Sequence, residues 1–266
     1  MRKFTGLPNS PSDEYHLESS NKLVSMEMPA SHQINYDTRI HELVKNAPVK
    51  IAGPAAVEPG LIDLLLDTAP VSLSVETAIT SRVSGRIFSR EKGLSLSQLS
   101  KLLYLANGVR KDEHLPDRPI YSRNVPCSGG IGSVEVYCFV LNVEGVEAGI
   151  YHFDSLGNRL ECLKTGNFAT WLKQFAFYQA ESAEPAVVFV LTANIGTLKS
   201  KYGERGYRLG LLDTGHVSQN IYLVATALGL NVFAFGGFVD EEINRALDLD
   251  GLDRCTLLCL SVGSQP

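Results

Sequence analysis

The chain has 266 residues, of which 44% are hydrophobic and 20% are charged, and its formal net charge is −5. This composition excludes collagen, coiled-coil and wholly disordered chains, and the length is sufficient to bury one large core. The acidic balance argues against nucleic acid or an anionic membrane surface as the main partner, because neutralising phosphates requires an excess of lysine and arginine. We therefore expect one main globular domain with no nucleic-acid partner and no membrane partner.

The first residues and the cysteines indicate the cellular compartment. Arg2 and Lys3 are followed by Pro8 and Pro11 in a polar run, so the apolar core of a secretory signal is missing and a cytoplasmic location is predicted. The five cysteines are odd in number and scattered, which favours reduced thiols over a disulfide framework. No histidine or second cysteine pair accompanies them at metal-ligand spacing, so we predict no metal site.

Taken in chain order, the pattern predicts an N-terminal arm and one folded domain. Residues 1–74 are rich in proline among polar residues and contain one short helical candidate at 38–45, so we assign them to an arm. Residues 75–266 form the predicted domain. Helices are predicted at 75–81, from 95 until Gly108, and at 171–180, 207–228 and 240–247, and strands at 134–141, 150–153, 186–191, 231–235 and 256–262.

Strands separated by long helices predict an α+β or α/β layered fold with a mostly covered sheet. Residues 214–239 carry no charged side chain over a length that could span a bilayer. Polar residues and glycines interrupt this stretch, so we interpret it as a buried helix followed by a buried strand.

The motifs of dinucleotide-binding folds, nucleotide hydrolases, zinc proteases and α/β-hydrolases are absent from the sequence. Three other clusters are candidates for chemistry. In the first, Arg82, Ser84 and Arg86 alternate along an extended segment and could grip a phosphate or an electron-rich ring edge. The ordinary alternative is a solvated basic loop.

The second cluster is a glycine-rich turn at residues 126–133, whose backbone N–H groups could approach a flat ligand closely, although a plain β-turn is an equally good interpretation. It contains Pro126, Cys127, Ser128, Gly129 and Gly130.

The third cluster is the charged run at residues 199–208, directly before the predicted helix at 207–228. Its Lys201–Tyr202 pair could supply a general base at the mouth of that helix. A solvated helix cap is the ordinary alternative, and His216, farther along the helix, is by itself better explained as a partly buried histidine than as a catalytic one.

Taken together, the clusters resemble the SagB-type dehydrogenases of the nitroreductase-like superfamily, in the right order from about Tyr15 or Val75 to the C-terminus. The matching motifs are Arg82-x-Ser84-x-Arg86, Arg123-Asn124-Val125-Pro126-Cys127-Ser128-Gly129-Gly130, Glu135-Val136-Tyr137, Gly149-Ile150-Tyr151-His152-Phe153-Asp154, Lys201-Tyr202-x-x-Arg205-Gly206-Tyr207-Arg208, Asp213-x-Gly215-His216-x-x-Gln219-Asn220 and Gly236-Gly237-Phe238.

The resemblance implies an FMN-binding α+β fold with a central, mostly antiparallel sheet flanked by helices. It also implies an intertwined homodimer with the flavin at the subunit interface. The matching Arg82, Ser84 and Arg86 would then hold the FMN phosphate and ring edge. The turn from Pro126 to Gly130 would lie against the isoalloxazine, and Gly236 and Gly237 would contact it from the other side.

The resemblance also implies an activity. Lys201 and Tyr202 match a pair thought to be catalytic in the azoline oxidases of this group, which oxidise thiazoline or oxazoline rings in ribosomally made peptides. The turn departs from the usual Pro-Ser-Gly-Gly, since Cys127 stands in place of a hydroxyl and the following Tyr-Pro pair is missing. The leading hypothesis is an FMN-dependent dehydrogenase acting on a peptide or small natural product. The alternatives are an NAD(P)H-dependent nitro or quinone reductase and a non-catalytic flavin-bearing subunit of a peptide-modifying complex.

Overall fold

The computed structural model describes residues 60–64, 70–111, 121–175 and 184–266. This part of the chain contains nine strands. They are β1 (Leu61–Asp63), β2 (Val109–Lys111), β3 (Tyr121–Arg123), β4 (Val134–Val140), β5 (Gly149–Asp154), β6 (Arg159–Thr165), β7 (Val187–Asn194), β8 (Leu230–Phe235) and β9 (Arg254–Ser264).

Seven of these strands form one sheet in the order β1-β6-β5-β4-β7-β9-β8, and each neighbouring pair is antiparallel. The strands β2 and β3 pair with each other as a separate antiparallel ribbon. The predicted mostly antiparallel central sheet is therefore confirmed, and the alternative of a parallel α/β sheet is wrong.

Six α-helices flank the sheet in the described residues. They are α1 (Val75–Ser81), α2 (Leu96–Asn107), α3 (Ala169–Phe175), α4 (Ile195–Tyr202), α5 (Arg205–Ala227) and α6 (Asp240–Ala246). The start of α2 is well defined because Ser95 accepts a hydrogen bond from the Gln98 N–H, while the Gln98 side chain accepts one from the Ser95 N–H. The helix ends before Gly108, as predicted.

The core lies on both faces of the sheet, and β4 shows how the sequence divides it. Its even-numbered residues, such as Val136 and Cys138, pack in a cluster with Leu102 of α2 and Val217 of α5. The odd-numbered residues, Tyr137 and Phe139, belong to a second cluster that includes Leu172 of α3 and Ile243 of α6. Because strand side chains alternate between faces, an almost wholly apolar strand requires helices on both sides of it.

The segment assigned to the arm contributes to this sheet. Residues 61–63 pair with residues 159–161 of β6, so part of the arm is an edge strand. The helical candidate at 38–45 and residues 176–180 of the helix predicted at 171–180 lie outside the described residues. The boundary at residue 74 stays a prediction.

The long helix α5 is buried on one face only, which corrects the expectation of a wholly buried helix. Val217 and Ile221 are almost fully covered, whereas Leu211 and Leu212 are exposed. His216 is also exposed and not partly buried, because it lies on the outer face with the two leucines. Within the described ranges, none of the helices has the length and apolar character needed to cross a membrane.

The cysteines agree with the prediction of reduced thiols. All five are free, and Cys138, Cys255 and Cys259 are buried in the core. Within the described residues there is no group of three histidine, cysteine, aspartate or glutamate side chains placed to hold a metal ion.

A buried histidine joins three neighbouring strands. His152 on β5 lies 2.9 Å through Nε2 from Glu135 Oε2 on β4 and 3.1 Å through Nδ1 from Glu161 Oε2 on β6. Burial alone would lower the pKa of His152, but the hydrogen bonds to Glu135 and Glu161 and their charges outweigh it and raise the pKa to about 9. The ring is therefore charged in the folded protein at neutral pH.

This arrangement predicts a pH-dependent stability. A histidine pKa that is higher in the folded chain than the unfolded value of about 6.5 stabilises the fold fully below pH 6.5, and this stabilisation is lost as the pH rises toward 9. Between pH 6 and pH 9, the free energy of unfolding measured with urea should fall by at most about 3 kcal/mol in the wild type. This fall should be absent from His152→Gln. If the free energy of unfolding changed equally with pH in the wild type and in His152→Gln, a charged His152 would be contradicted.

Candidate active site

The glycine-rich turn lies between β3 and β4 and includes a short 3₁₀ helix at Ser128–Gly130. Gly129 and Gly130 have φ values of 60° and 71°, in the left-handed region that favours glycine. Both are exposed, while Cys127 beside them is half-buried. Burial raises the pKa of the Cys127 thiol above its ordinary value, so the thiol is protonated at neutral pH.

The Lys201–Tyr202 pair lies against this turn. A Cβ atom placed on Gly129 would be 2.1 Å from Tyr202 Oη and 2.6 Å from Lys201 Nζ, so a side chain at this position would displace the ends of both residues. Lys201 Nζ also lies 3.5 Å from the Gly129 carbonyl oxygen and 5.2 Å from the centre of the Tyr202 ring. Two of the three predicted clusters are thus brought together.

The pair occupies the last turn of α4, a helix that was not predicted. Asn194 begins this helix by accepting a hydrogen bond from the Thr197 N–H at 3.0 Å, and its own N–H donates to the Ser133 carbonyl at the end of the glycine-rich turn. Lys201 and Tyr202 are half-buried, which differs from the solvated cap considered as the alternative.

Close packing on α5 fixes the position of α4. A Cβ atom on Gly206 would lie 2.6 Å from backbone atoms of Leu198 and Lys199, and one on Gly210 would lie 2.7 Å from Ile195 Cδ1. The backbone of α4 can approach α5 this closely only because residue 206 is glycine, and Gly210 leaves room for the Ile195 side chain. The backbone contact therefore determines where the end of α4 lies relative to the turn.

The first predicted cluster lies elsewhere, over aromatic rings. Arg82 Cζ is 5.4 Å from the centre of the Tyr222 ring, and Arg86 Cζ is 4.5 Å from that of Phe233. Ser84 Oγ is 3.2 Å from Tyr222 Oη and 3.4 Å from Arg82 Nη1. These contacts align the two guanidinium groups and the hydroxyl along α5 and β8.

The same contacts connect this cluster with the glycines after β8. Tyr222 Oη accepts a hydrogen bond from the Ala234 N–H at 2.8 Å, two residues before Gly236. Gly236 and Gly237 are exposed, and a Cβ on Gly236 would meet no atom within 4 Å. The arginine cluster therefore lies near the end of β8, beside open space.

Within one chain, the two groups lie on different sides of α5. Asp213, which contacts the glycine-rich turn, and Tyr222, which contacts the arginine cluster, are nine residues apart on the helix. Nine residues correspond to two and a half turns and about 13 Å of rise, so the two side chains point in opposite directions. The arginine cluster and the glycine-rich turn are thus separate groups within one chain.

Sequence reasoning assigned no role in the site to two residues that define it. Asp213 and Arg123 contact opposite ends of the glycine-rich turn. Both residues belong to motifs that match the family, but an acid within an apolar helix and an arginine three residues before the turn do not indicate a partner.

The antiparallel sheet between helices, with a glycine-rich turn against a lysine–tyrosine pair, defines the α+β class with the nitroreductase fold. Residues 79–264 match the model of the nitroreductase family, and the chain belongs to that family. Members of this family bind flavin, and the family name indicates oxidoreductase activity. The fold and the family implied by the sequence resemblance are thereby confirmed.

Two individual proteins have sequences similar to that of this chain. The chain is 30% identical over 177 residues to MJ1384 of Methanocaldococcus jannaschii, whose name places it among nitroreductases, over 66% of this chain and 85% of that protein. It is also 30% identical over 172 residues to the microcin B17-processing protein McbC of Escherichia coli, over 63% of this chain and 61% of McbC. The aligned region thus spans less than two thirds of McbC.

A solved structure extends the match in fold. The Escherichia coli microcin synthetase McbBCD complex with truncated pro-MccB17 bound contains a chain with a TM-score of 0.61 and 22% identity. The alignment covers 95% of the present chain and 86% of that chain. At this identity, the comparison establishes a shared fold.

Proposed function

We propose that this protein is an FMN-dependent dehydrogenase that oxidises an azoline ring or a related group in a peptide or small natural product. The observation that carries the proposal is the contact of Lys201 and Tyr202 with Gly129 of the glycine-rich turn. A basic nitrogen and a phenolic oxygen are thereby held one residue away from Gly130, whose backbone borders open space that a flat ring could occupy.

The residues fit FMN in two respects. Guanidinium groups such as Arg82 and Arg86 bind a phosphate dianion through charge-assisted hydrogen bonds, and their aromatic contacts restrict their orientation. Gly130 and Gly236 border open space, so a planar ring could approach their backbone without meeting a side chain. On this proposal Ser84 contacts FMN beside the two arginines. One side of the flavin ring is bordered by Pro126, Cys127, Ser128, Gly129 and Gly130. The other side is bordered by Gly236 and Gly237.

The proposed chemistry divides the work between the cofactor and the protein. Oxidation of an azoline to an azole forms a double bond between two ring carbons, one of which loses a proton and the other a hydride. Lys201 Nζ or Tyr202 Oη takes the proton as general base. When bound, FMN supplies the acceptor for the hydride. The turn and α4 hold the substrate and the base in one orientation, which lowers the entropic cost of reaching the reactive geometry.

The separation of the arginine cluster from the glycine-rich turn within one chain supports a homodimer as part of the proposal. Apolar side chains are exposed on two neighbouring helices. They are Leu211 and Leu212 on the outer face of α5, and Val75 and Ile79 on α1. A second copy packed symmetrically on this face could bring the arginine cluster of one chain toward the glycine-rich turn of the other. The flavin would then lie at the subunit interface.

Light scattering should show a dimer for the wild type and a monomer with weakened FMN binding for Leu212→Glu, because a charge placed at a 56% exposed apolar contact disrupts the interface. Leu252→Glu, at an 80% exposed position outside α1 and α5, is the control and should leave both properties unchanged. A wild-type monomer that still binds FMN tightly would contradict the interface site.

The relatives support a peptide substrate and a partner complex. McbC is named for the processing of microcin B17, and the McbBCD complex holds a truncated precursor peptide. We propose that the present chain likewise receives its substrate from a peptide-modifying complex. The Lys201–Tyr202 contact favours a catalytic subunit over a non-catalytic flavin carrier.

The nitroreductase name of MJ1384 favours a second candidate function, the reduction of nitro compounds or quinones with NAD(P)H. The dehydrogenase and the reductase differ in the direction of electron flow, since the first reduces FMN with its organic substrate and the second reduces FMN with NAD(P)H. The purified protein should be yellow, and a synthetic peptide containing a thiazoline should bleach the bound FMN anaerobically. Bleaching by NADPH followed by reoxidation with a nitroarene, without any response to azoline peptides, would instead identify a reductase.

A further inference from the structure

The glycine-rich turn is anchored to the buried side of α5 by one carboxylate. The Ser128 N–H lies 3.1 and 3.0 Å from the two carboxylate oxygens of Asp213, and the Ser128 hydroxyl donates to Oδ1 at 2.9 Å. Asp213 is only 3% exposed. A buried carboxylate requires such donors, because its charge is otherwise costly to remove from water.

An arginine holds the other end of the turn. Arg123 Nη1 donates to the Asn107 carbonyl and to Ser155 Oγ, each at 3.0 Å, and Nη2 lies 3.4 Å from the Gly132 carbonyl. A Cβ atom on Gly132 would be 2.3 Å from Arg123 Nε, so the guanidinium lies directly against this backbone. The turn is therefore held at both ends by charged side chains outside it, Asp213 on α5 and Arg123 at the end of β3.

Between these anchors the chain has little stiffness of its own. Gly129 and Gly130 have access to more backbone conformations than any other residue type, and ordering them has the largest entropic cost. Their observed conformation places Gly129 against Lys201 and Tyr202. Two adjacent glycines keep one such conformation only if their neighbours are held.

We propose that Asp213 is a positioning residue that acts through Ser128 to hold Gly129 and Gly130 in the conformation that faces the Lys201–Tyr202 pair. The inference rests on the proposed function, in which this turn borders the flavin ring. Asp213 itself is buried behind Ser128 and acts without contacting the cofactor or the substrate.

Substitutions in the full chain can separate this role from general support of the fold. Asp213→Ala removes both acceptor oxygens, whereas Asp213→Asn keeps one of them. Asn244→Ala is a matched control, because Asn244 Oδ1 also accepts from the N–H and the hydroxyl of a single residue, Thr256, at 3.0 and 2.8 Å. Asn244 lies on α6 outside the proposed site, so its loss should perturb the fold in a similar way without moving the turn.

The first measurement needs no cofactor. Hydrogen exchange of the peptide containing residues 126–133 in the FMN-free protein should be about tenfold faster in Asp213→Ala, in proportion to the lost hydrogen bonds. It should be intermediate in Asp213→Asn and unchanged in Asn244→Ala. Wild-type exchange rates in Asp213→Ala would overturn the inference.

The second measurement uses FMN as the probe. Asp213→Ala should bind FMN about tenfold more weakly and shift the visible absorption band of the bound flavin, with partial recovery in Asp213→Asn, while Asn244→Ala matches the wild type. Faster exchange with unchanged affinity and spectrum would overturn the positioning role and leave a structural one. If Asp213→Ala does not fold, Asp213→Asn and Ser128→Ala provide the same comparison. A wild type that binds no FMN would contradict the proposed function, and the exchange rates would still decide whether Asp213 anchors the turn.

Discussion

Lys201→Ala and Tyr202→Phe should each lower turnover of an azoline peptide by a factor of about 10² to 10⁴, the range typical of a lost general acid or base. Both atoms concerned lie beside Gly129, where the proposed site places the reacting ring. Neither variant removes a contact of the arginine cluster, so FMN occupancy should stay at the wild-type level. The Tyr202 variant also keeps the aromatic ring and removes only Oη.

A control on the same helix tests whether the effect is local. Lys199 is paired with Glu204 at 2.9 Å on the surface, so Lys199→Ala removes a charge from α4 without touching the turn. Its turnover should be near that of the wild type. Near-normal activity of Lys201→Ala and Tyr202→Phe would mean that the pair is an ordinary helix end. Parallel loss of flavin and activity would assign both residues to support of the cofactor site.

Elements with strong local signals were predicted close to their observed bounds. The helix α2 has a reciprocal cap at Ser95 and Gln98 and a glycine at its end, so its limits follow from the sequence alone. The strand β7 is a run of apolar residues that must be covered on both faces, and it was identified for that reason. In both cases local chemistry and tertiary burial require the same conformation.

Five elements were missed, namely β1, β2, β3, β6 and α4. For β6 and α4 the reason is that their stability comes from elsewhere in the fold. The strand β6 carries charged residues from Arg159 to Lys164 and is largely half-exposed, so it has no apolar run or clear alternation. The helix α4 is eight residues long, a length that is marginal by itself, and it is held by its packing on Gly206 and Gly210 of α5. The Asn194 cap was its only local signal.

In the candidate site, too, some features follow from local sequence and others depend on tertiary contacts. Each cluster could be recognised from its residue types, but which clusters meet depends on tertiary contacts between distant positions. Gly129 meets Tyr202 because α4 lies close on α5, and no residue near Gly129 in the sequence indicates this. Asp213 escaped assignment because its partner, Ser128, is 85 residues away.

Replacement of both Arg82 and Arg86 by alanine should release FMN. A hydrogen bond to a charged group contributes about 1.5–3 kcal/mol, so the loss of two guanidinium groups should raise the Kd for FMN by about 10² to 10⁴. The fold should survive, because the contact between Tyr222 Oη and the Ala234 N–H that joins α5 to β8 does not involve either arginine. Fluorescence titration of the apo protein with FMN gives the Kd, and unfolding curves verify that the variant is folded.

A matched charge deletion and a change of ligand identify the phosphate as the group recognised. Arg90→Ala removes an exposed arginine four residues beyond Arg86 and should leave the Kd unchanged. Riboflavin, which lacks the phosphate, should bind the wild type and the double variant with similar weakness, because the arginines then have no dianion to contact. If the double variant retained wild-type affinity for FMN, the arginine cluster would be a solvated basic loop and the phosphate would have to lie elsewhere. If the double variant lost riboflavin and FMN equally, the arginines would support the ring pocket through their contacts with Tyr222 and Phe233.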